Sequence, residues 1–184
     1  MFQIATSLII VLFAALGAAQ STAPAASDPP SEIQALVAKA LGNSAELLRY
    51  GHLSTPESLE VIGAVPASGI PKSPDGIAVS RLAVLRQEGN QWANALTVSD
   101  GIRNNDGEIT TGAQKSALYR VTFFQHRFED GRQRWIMQFT PVNAEGERTG
   151  QAIDISWNEI PGRYQQISLE GYGFQPEFHG ESAE

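Results

Sequence analysis

The segment 118–140 constrains the fold more than any other part of the chain. It holds two runs rich in Val, Phe, Trp and Thr, 118–128 and 132–140, separated only by Glu129-Asp130-Gly131. Asp-Gly between such runs is a strong hairpin signal, since both residues accept the positive φ of a tight type I′ turn. With Asp130 and Gly131 as the turn, pairing follows by arithmetic: His126 opposite Trp135, Phe124 opposite Met137, Thr122 opposite Phe139. One face then collects Phe124, His126, Phe128, Trp135, Met137 and Phe139. The other carries Gln125, Arg127, Arg134 and Gln138 near the turn, and Tyr119, Val121 and Phe123 farther away, where a second cover is expected.

Further strands follow from the same period of two. Residues 77–86 and 92–98 flank a Gly89-Asn90 turn, and 152–157 and 164–169 alternate Ile and Trp with polar residues. Asn143 to Gly146 and Pro161-Gly162 supply turns, while 65–76, with three prolines and two glycines, reads as an exposed loop. Ahead of these, Ile33, Leu36, Val37, Ala40, Leu41, Leu47 and Leu48 recur at helical spacing, and Ser31 with Gln34 has the pattern of a capping box, which predicts a helix over 31–49. Thr55-Pro56 predicts a second, short helix to about Val61. The fold expected is α+β, an N-terminal helix packed on an antiparallel, meander-like sheet of about five to six strands.

Residues 4–16 are almost wholly apolar, carry no charge and lead into Gly17-Ala18-Ala19, the pattern of an export signal cleaved after Ala19. The run is short of the ~20 residues that span a bilayer, so a retained anchor is the weaker alternative and no membrane insertion is expected after cleavage. The organisation expected is a signal peptide over 1–19, a Ser/Thr/Pro linker over 20–30, a single domain over 31–176 and a disordered tail over 177–184. Export places the chain in the periplasm or outside the cell.

Charge and composition exclude several functions. A net charge of -7 with no basic cluster repels nucleic acid. The absence of cysteine removes thiol catalysis, disulfides, iron–sulfur clusters and Cys-ligated zinc. The three histidines, His52, His126 and His179, lie far apart, with none at the spacing of a helical zinc site. An EF-hand alignment on Gly107 puts Ile102 and Ala113 at positions that need acidic ligands, so 100–108 reads as a polar loop, with a different calcium loop through Asp100, Asp106 and Glu108 as the alternative. No nucleophile elbow or phosphate-binding glycine loop is present, and no catalytic residue, metal site or cofactor is assigned.

The one arrangement that suggests binding is the opposition of Arg127 and Arg134 in the hairpin. Like charges directly across a strand pair are unfavourable unless an acidic group or ligand lies between them. Arg127, Arg134, Gln125 and Gln138, with His126 and Trp135 on the aromatic side, are therefore the candidate ligand-binding residues. The function expected is a non-enzymatic module for a small ligand or protein partner. The alternatives are a small envelope hydrolase or metal-dependent enzyme using His126 with nearby carboxylates, and an interaction protein that dimerises through a strand edge.

Overall fold

The structure, a computed structural model, describes residues 30–169 and 173–174. The expected signal peptide, nearly all of the linker and the tail over 177–184 lie outside the described residues. Among those described, strand dominates: 52% strand against 9% helix. The expected α+β class is therefore corrected to an antiparallel sheet curled into a half-barrel, with one short helix.

The helix, α1, spans Ser31–Leu41 and stops where Gly42 adopts φ +97° and donates its N–H to the Ala38 carbonyl. An L side chain resists that conformation, so Gly42 ends the helix eight residues before its expected limit. Its N-terminal cap is Pro30, with no side-chain capping bond, so the Ser31 capping box does not form. The next segment, β1 (Glu46–Gly51), is a strand. Leu47 and Leu48 fit both periods, and the structure uses the period of two: Leu47 packs on the helix side and Leu48 on the inner side of the sheet. The short helix expected from Thr55 is likewise replaced, by a turn at 56–57 and strand β2 (Glu60–Pro66).

Strand β3 (Ile77–Glu88) organises the rest. One of its edges pairs with β2; the other carries β4 (Gln91–Val98) along 82–88 and β7 (Tyr119–Arg127) along 77–79. The Gly89-Asn90 turn forms as expected, with Glu88 paired to Gln91. From this fork one arm runs through β4 to β5 (Ile102–Asn104) and β6 (Gly107–Glu108), which interrupt the stretch expected to be all turn. The other arm runs through β7, β8 (Gln133–Pro141), β9 (Ile153–Asn158), β10 (Arg163–Ser168) and β11 (Gly173–Phe174). The arms curl towards each other until Asn104 Nδ2 donates to the Tyr164 carbonyl at 2.8 Å and Arg163 pairs with Asp106. Side chains rather than a strand ladder bridge that seam.

The inner face encloses the main core, including Ile62, Leu82, Val121, Phe139, Ile153 and Ile155, all at most 2% exposed. Burying each such side chain stabilises the fold by roughly 1.5–3 kcal/mol. The helix covers the outer face of β1–β3 through Ile33, Val37 and Leu41, which pack on Val61, Ala83 and Leu85. The sequence suggested this helix as one cover of the 118–140 hairpin, but it packs on β1–β3 instead; a separate cluster of Phe128, Ile136 and Ile167, with Phe124 and Leu169, lines the hairpin's outer face.

The 118–140 hairpin turns at Asp130-Gly131 in a register one residue away from the expected one. Phe128 N–H donates to the Arg132 carbonyl, Gly131 N–H donates to the Phe128 carbonyl, and Gly131 has φ +77°. This is a three-residue loop closed by a left-handed glycine, not a two-residue type I′ turn. Arg127 therefore pairs with Gln133, His126 with Arg134, Gln125 with Trp135 and Phe123 with Met137. Because a one-residue slip moves every side chain of one strand to the other face, Trp135, Met137 and Phe139 lie inward with Val121 and Phe123, while Phe124, His126, Arg134 and Ile136 lie outward.

Candidate functional site

Where β1 and the loop after it pass over the inner face of β7 and β8, the core opens into a narrow cleft. Its walls are Leu53, Ile62, Phe123, Trp135, Met137 and Trp157, with polar groups from Arg49, Ser54, Arg134, Ser156 and Tyr164. The free space is about 10 Å³, room for a single water molecule. Alternation in β7, β8 and β9 aims Phe123, Trp135, Met137 and Trp157 inward, and the hairpin register brings Phe123 and Trp135 onto the same face.

Arg49, from β1, lies over this aromatic floor. Its guanidinium carbon is 4.9 Å from the Phe123 ring centroid and 4.4 Å from that of Trp135. The ring quadrupoles attract the cation, an effect of roughly 0.5–2 kcal/mol that depends on how dry the site is. Among the described residues Arg49 has no carboxylate partner, and its buried Nε lacks an acceptor. Burial pulls its pKa down from the usual arginine value. The group stays cationic, since arginine deprotonates far above physiological pH.

Behind the cleft is a buried polar cluster. Glu60 is fully buried; its Oε1 accepts from Arg86 Nη1 at 3.0 Å and from the Tyr164 hydroxyl at 3.0 Å, while Oε2 has no partner among the described residues. Arg86 also donates to Ser54 Oγ and stacks over Trp157 at 3.8 Å. Burial, with the Glu60 charge beside it, pushes the Tyr164 phenol well above its ordinary pKa. Three segments distant in sequence, 54–60, β3 and β10, are joined by this cluster.

Of the residues singled out in the sequence, Arg134 and Trp135 reach the cleft. Arg127 and Arg134 are not opposed; they lie on opposite faces of the hairpin, because the register differs by one. Arg134 pairs with Asp130 and stacks on Phe128 at 4.8 Å, so its charge is met within the hairpin. Gln125 accepts from Gln133 at 2.9 Å, and Gln138 donates to Asp154 at 2.9 Å on the outer face. His126 stands edge-on to Phe128 at 4.9 Å, outside the cleft and away from Trp135. No family model matches the chain, and no curated protein or solved structure matches it either.

The polar loop after β4 turns its carboxylates to cations. Asp100 pairs with Arg103 at 3.0 Å, Glu108 with Lys115 at 2.8 Å, and Asp106 with Arg163. The hydrogen bond from Arg103 holds Asp100 down to about 2. Among the described residues no group of three or more His, Asp or Glu side chains is placed to hold a metal ion.

Sequence reasoning missed Arg49, Glu60, Arg86 and Tyr164. For Glu60 a signal was present: read as a strand, 60–66 puts Glu60 in line with Ile62 and Ala64, a charge at one end of an apolar face. A carboxylate in that position requires a buried partner.

Proposed function

We propose that this chain is a non-enzymatic binding module whose ligand is a small amphiphile, an apolar body carrying one anionic head, held in the cleft beneath Arg49. The observation that supports this reading is the Arg49 guanidinium, poised over two aromatic rings with no acidic partner among the described residues. A carboxylate head would supply the acceptor that Nε lacks, in the planar geometry a guanidinium fork prefers. The apolar body would replace the arginine over Phe123, Trp135 and Met137, covering rings as a ligand pocket commonly does. With so little free space, binding requires Arg49 and the loop beside it to move. Export to the periplasm or beyond, read from residues 1–19, belongs to the same proposal. Among the described residues no helix is long and apolar enough to cross a membrane.

The test is calorimetric titration with decanoate and with decan-1-ol, which share an apolar chain and differ in the head. Decanoate should bind more tightly, and Arg49→Ala should weaken it about 10- to 100-fold, the range expected for a hydrogen bond to a charged group. Equal affinity for the two compounds, or unchanged decanoate binding in Arg49→Ala, would refute the assignment.

A further inference from the structure

We infer that the loop 52–59 is a lid over the cleft, latched by Arg86, and that its opening joins the inner cleft to a second chamber outside, so that the ligand is elongated rather than compact. This inference rests on the binding reading above. The outer chamber is an open groove of about 550 Å³, lined by Thr55 to Glu57 on the loop side and by Arg132, Gln133 and Glu159 on the other. Ser54 and Arg134 line both spaces. Ser54 thus stands on the partition between the aromatic interior and the polar groove.

The loop is built to move as a unit. His52 Nδ1 bonds the Ser58 carbonyl at 2.9 Å and closes the loop at its base. The buried Ser58 hydroxyl meets Ser54 Oγ at 2.9 Å and accepts from Thr55 Oγ1 at 3.1 Å, bracing the loop from within. Against this internal bracing, the described ties to the body are few: the Arg86 bond to Ser54 and the packing of Leu53 on the main core. At one end stands Gly51, with φ +141° and open space where a Cβ would lie; at the other, the Leu59 carbonyl accepts from Gln87 N–H at 2.9 Å. Gly51 and Leu59 are therefore the hinge points. Arg86 would hold the lid shut with the same guanidinium that neutralises Glu60, so the latch is anchored in the buried polar cluster.

Acrylamide quenching of tryptophan fluorescence tests the lid without reference to any ligand. In a Trp92→Phe background the signal comes from Trp135 and Trp157, both of which line the cleft. Ser54→Ala, which removes the latch, should raise the quenching constant at least twofold and speed decanoate association several-fold. Ser54→Thr, which keeps the hydroxyl, should behave as the parent, and that separates lid opening from a general loss of stability. Identical quenching in Ser54→Ala and the parent would overturn the lid even if decanoate binds. Raised quenching together with no decanoate binding to the parent would leave the lid standing and sink the ligand reading.

Discussion

Arg86→Met removes the guanidinium from the buried cluster while keeping an apolar stem over Trp157. In the parent, the Arg86 side chain is 15% exposed and that of Glu60 fully buried, with their charged atoms 3.0 Å apart. Deleting the cation leaves a buried carboxylate with only the Tyr164 hydroxyl as a donor, and Oε2 is already without a partner. Breaking one side of a buried pair in this way costs about 3–5 kcal/mol, against about 0–1 kcal/mol for an exposed pair. At roughly 2–4 °C per kcal/mol for a domain of this size, Tm should fall by about 6–20 °C. Replacing all the partners with apolar groups, as in Glu60→Leu/Arg86→Met/Tyr164→Phe, should recover most of the loss, because no buried charge is left stranded. Urea unfolding followed by near-ultraviolet circular dichroism measures both variants. A loss below about 1 kcal/mol in Arg86→Met, or a triple variant less stable than the single one, would refute the view of Glu60 as a buried, Arg-dependent charge.

Two further outcomes follow from the same packing. Because burial raises the Tyr164 pKa, the folded state keeps a proton that the unfolded state releases above about pH 10, so stability holds below that pH and falls as pH rises beyond it. Tyr164→Phe should flatten that decline between about pH 10 and 11.5 in urea titrations, leaving the smaller part due to Tyr119, which burial also raises; an unchanged slope would count against it. A Cβ on Gly63 would lie 2.5 Å from Val37 Cγ1, so Gly63→Ala should cost about 1–3 kcal/mol by pushing the helix off the sheet, and Val37→Ala should recover part of it; no loss would contradict the helix docking.

Much of the strand pattern was legible in the sequence, and the site was not. Gly89-Asn90 fixed its turn, since a two-residue loop there pairs Glu88 with Gln91 and carries the register as far as Leu85 opposite Asn94; beyond it an irregularity shifts the pairing by one, so that Val84 faces Leu96. The Asp130-Gly131 hairpin was not fixed in this way. Phe123 and Phe124 are adjacent and both lie against apolar clusters, so either register buries a ring on each side. The turn is settled by local bonds instead: Asp130 Oδ1 accepts from Arg132 N–H, and Gly131 takes the left-handed position after it. That single residue of slip decided which strand residues of the hairpin share the inner face, placing Trp135 with Phe123 on the floor of the cleft. The 31–49 helix failed for a different reason. Leu47 and Leu48 satisfy a helical stripe and a two-sided strand equally well, and only Gly42, tolerated in a helix at modest cost, marked the break. Once 46–51 is a strand, Arg49 lies over Phe123 and Trp135, which is the origin of the site.

Two-dimensional NMR of the indole N–H groups during a decanoate titration addresses the proposed function most directly, since the three tryptophans divide between the cleft and elsewhere. Trp135 and Trp157 line the cleft, whereas Trp92 lies in a separate groove beside the helix. Saturable shifts of the Trp135 and Trp157 signals with Trp92 unmoved, reached only at about 10- to 100-fold higher decanoate in Arg49→Ala, are the predicted result. Shifts confined to Trp92, or none at all up to the solubility limit of decanoate, would contradict it.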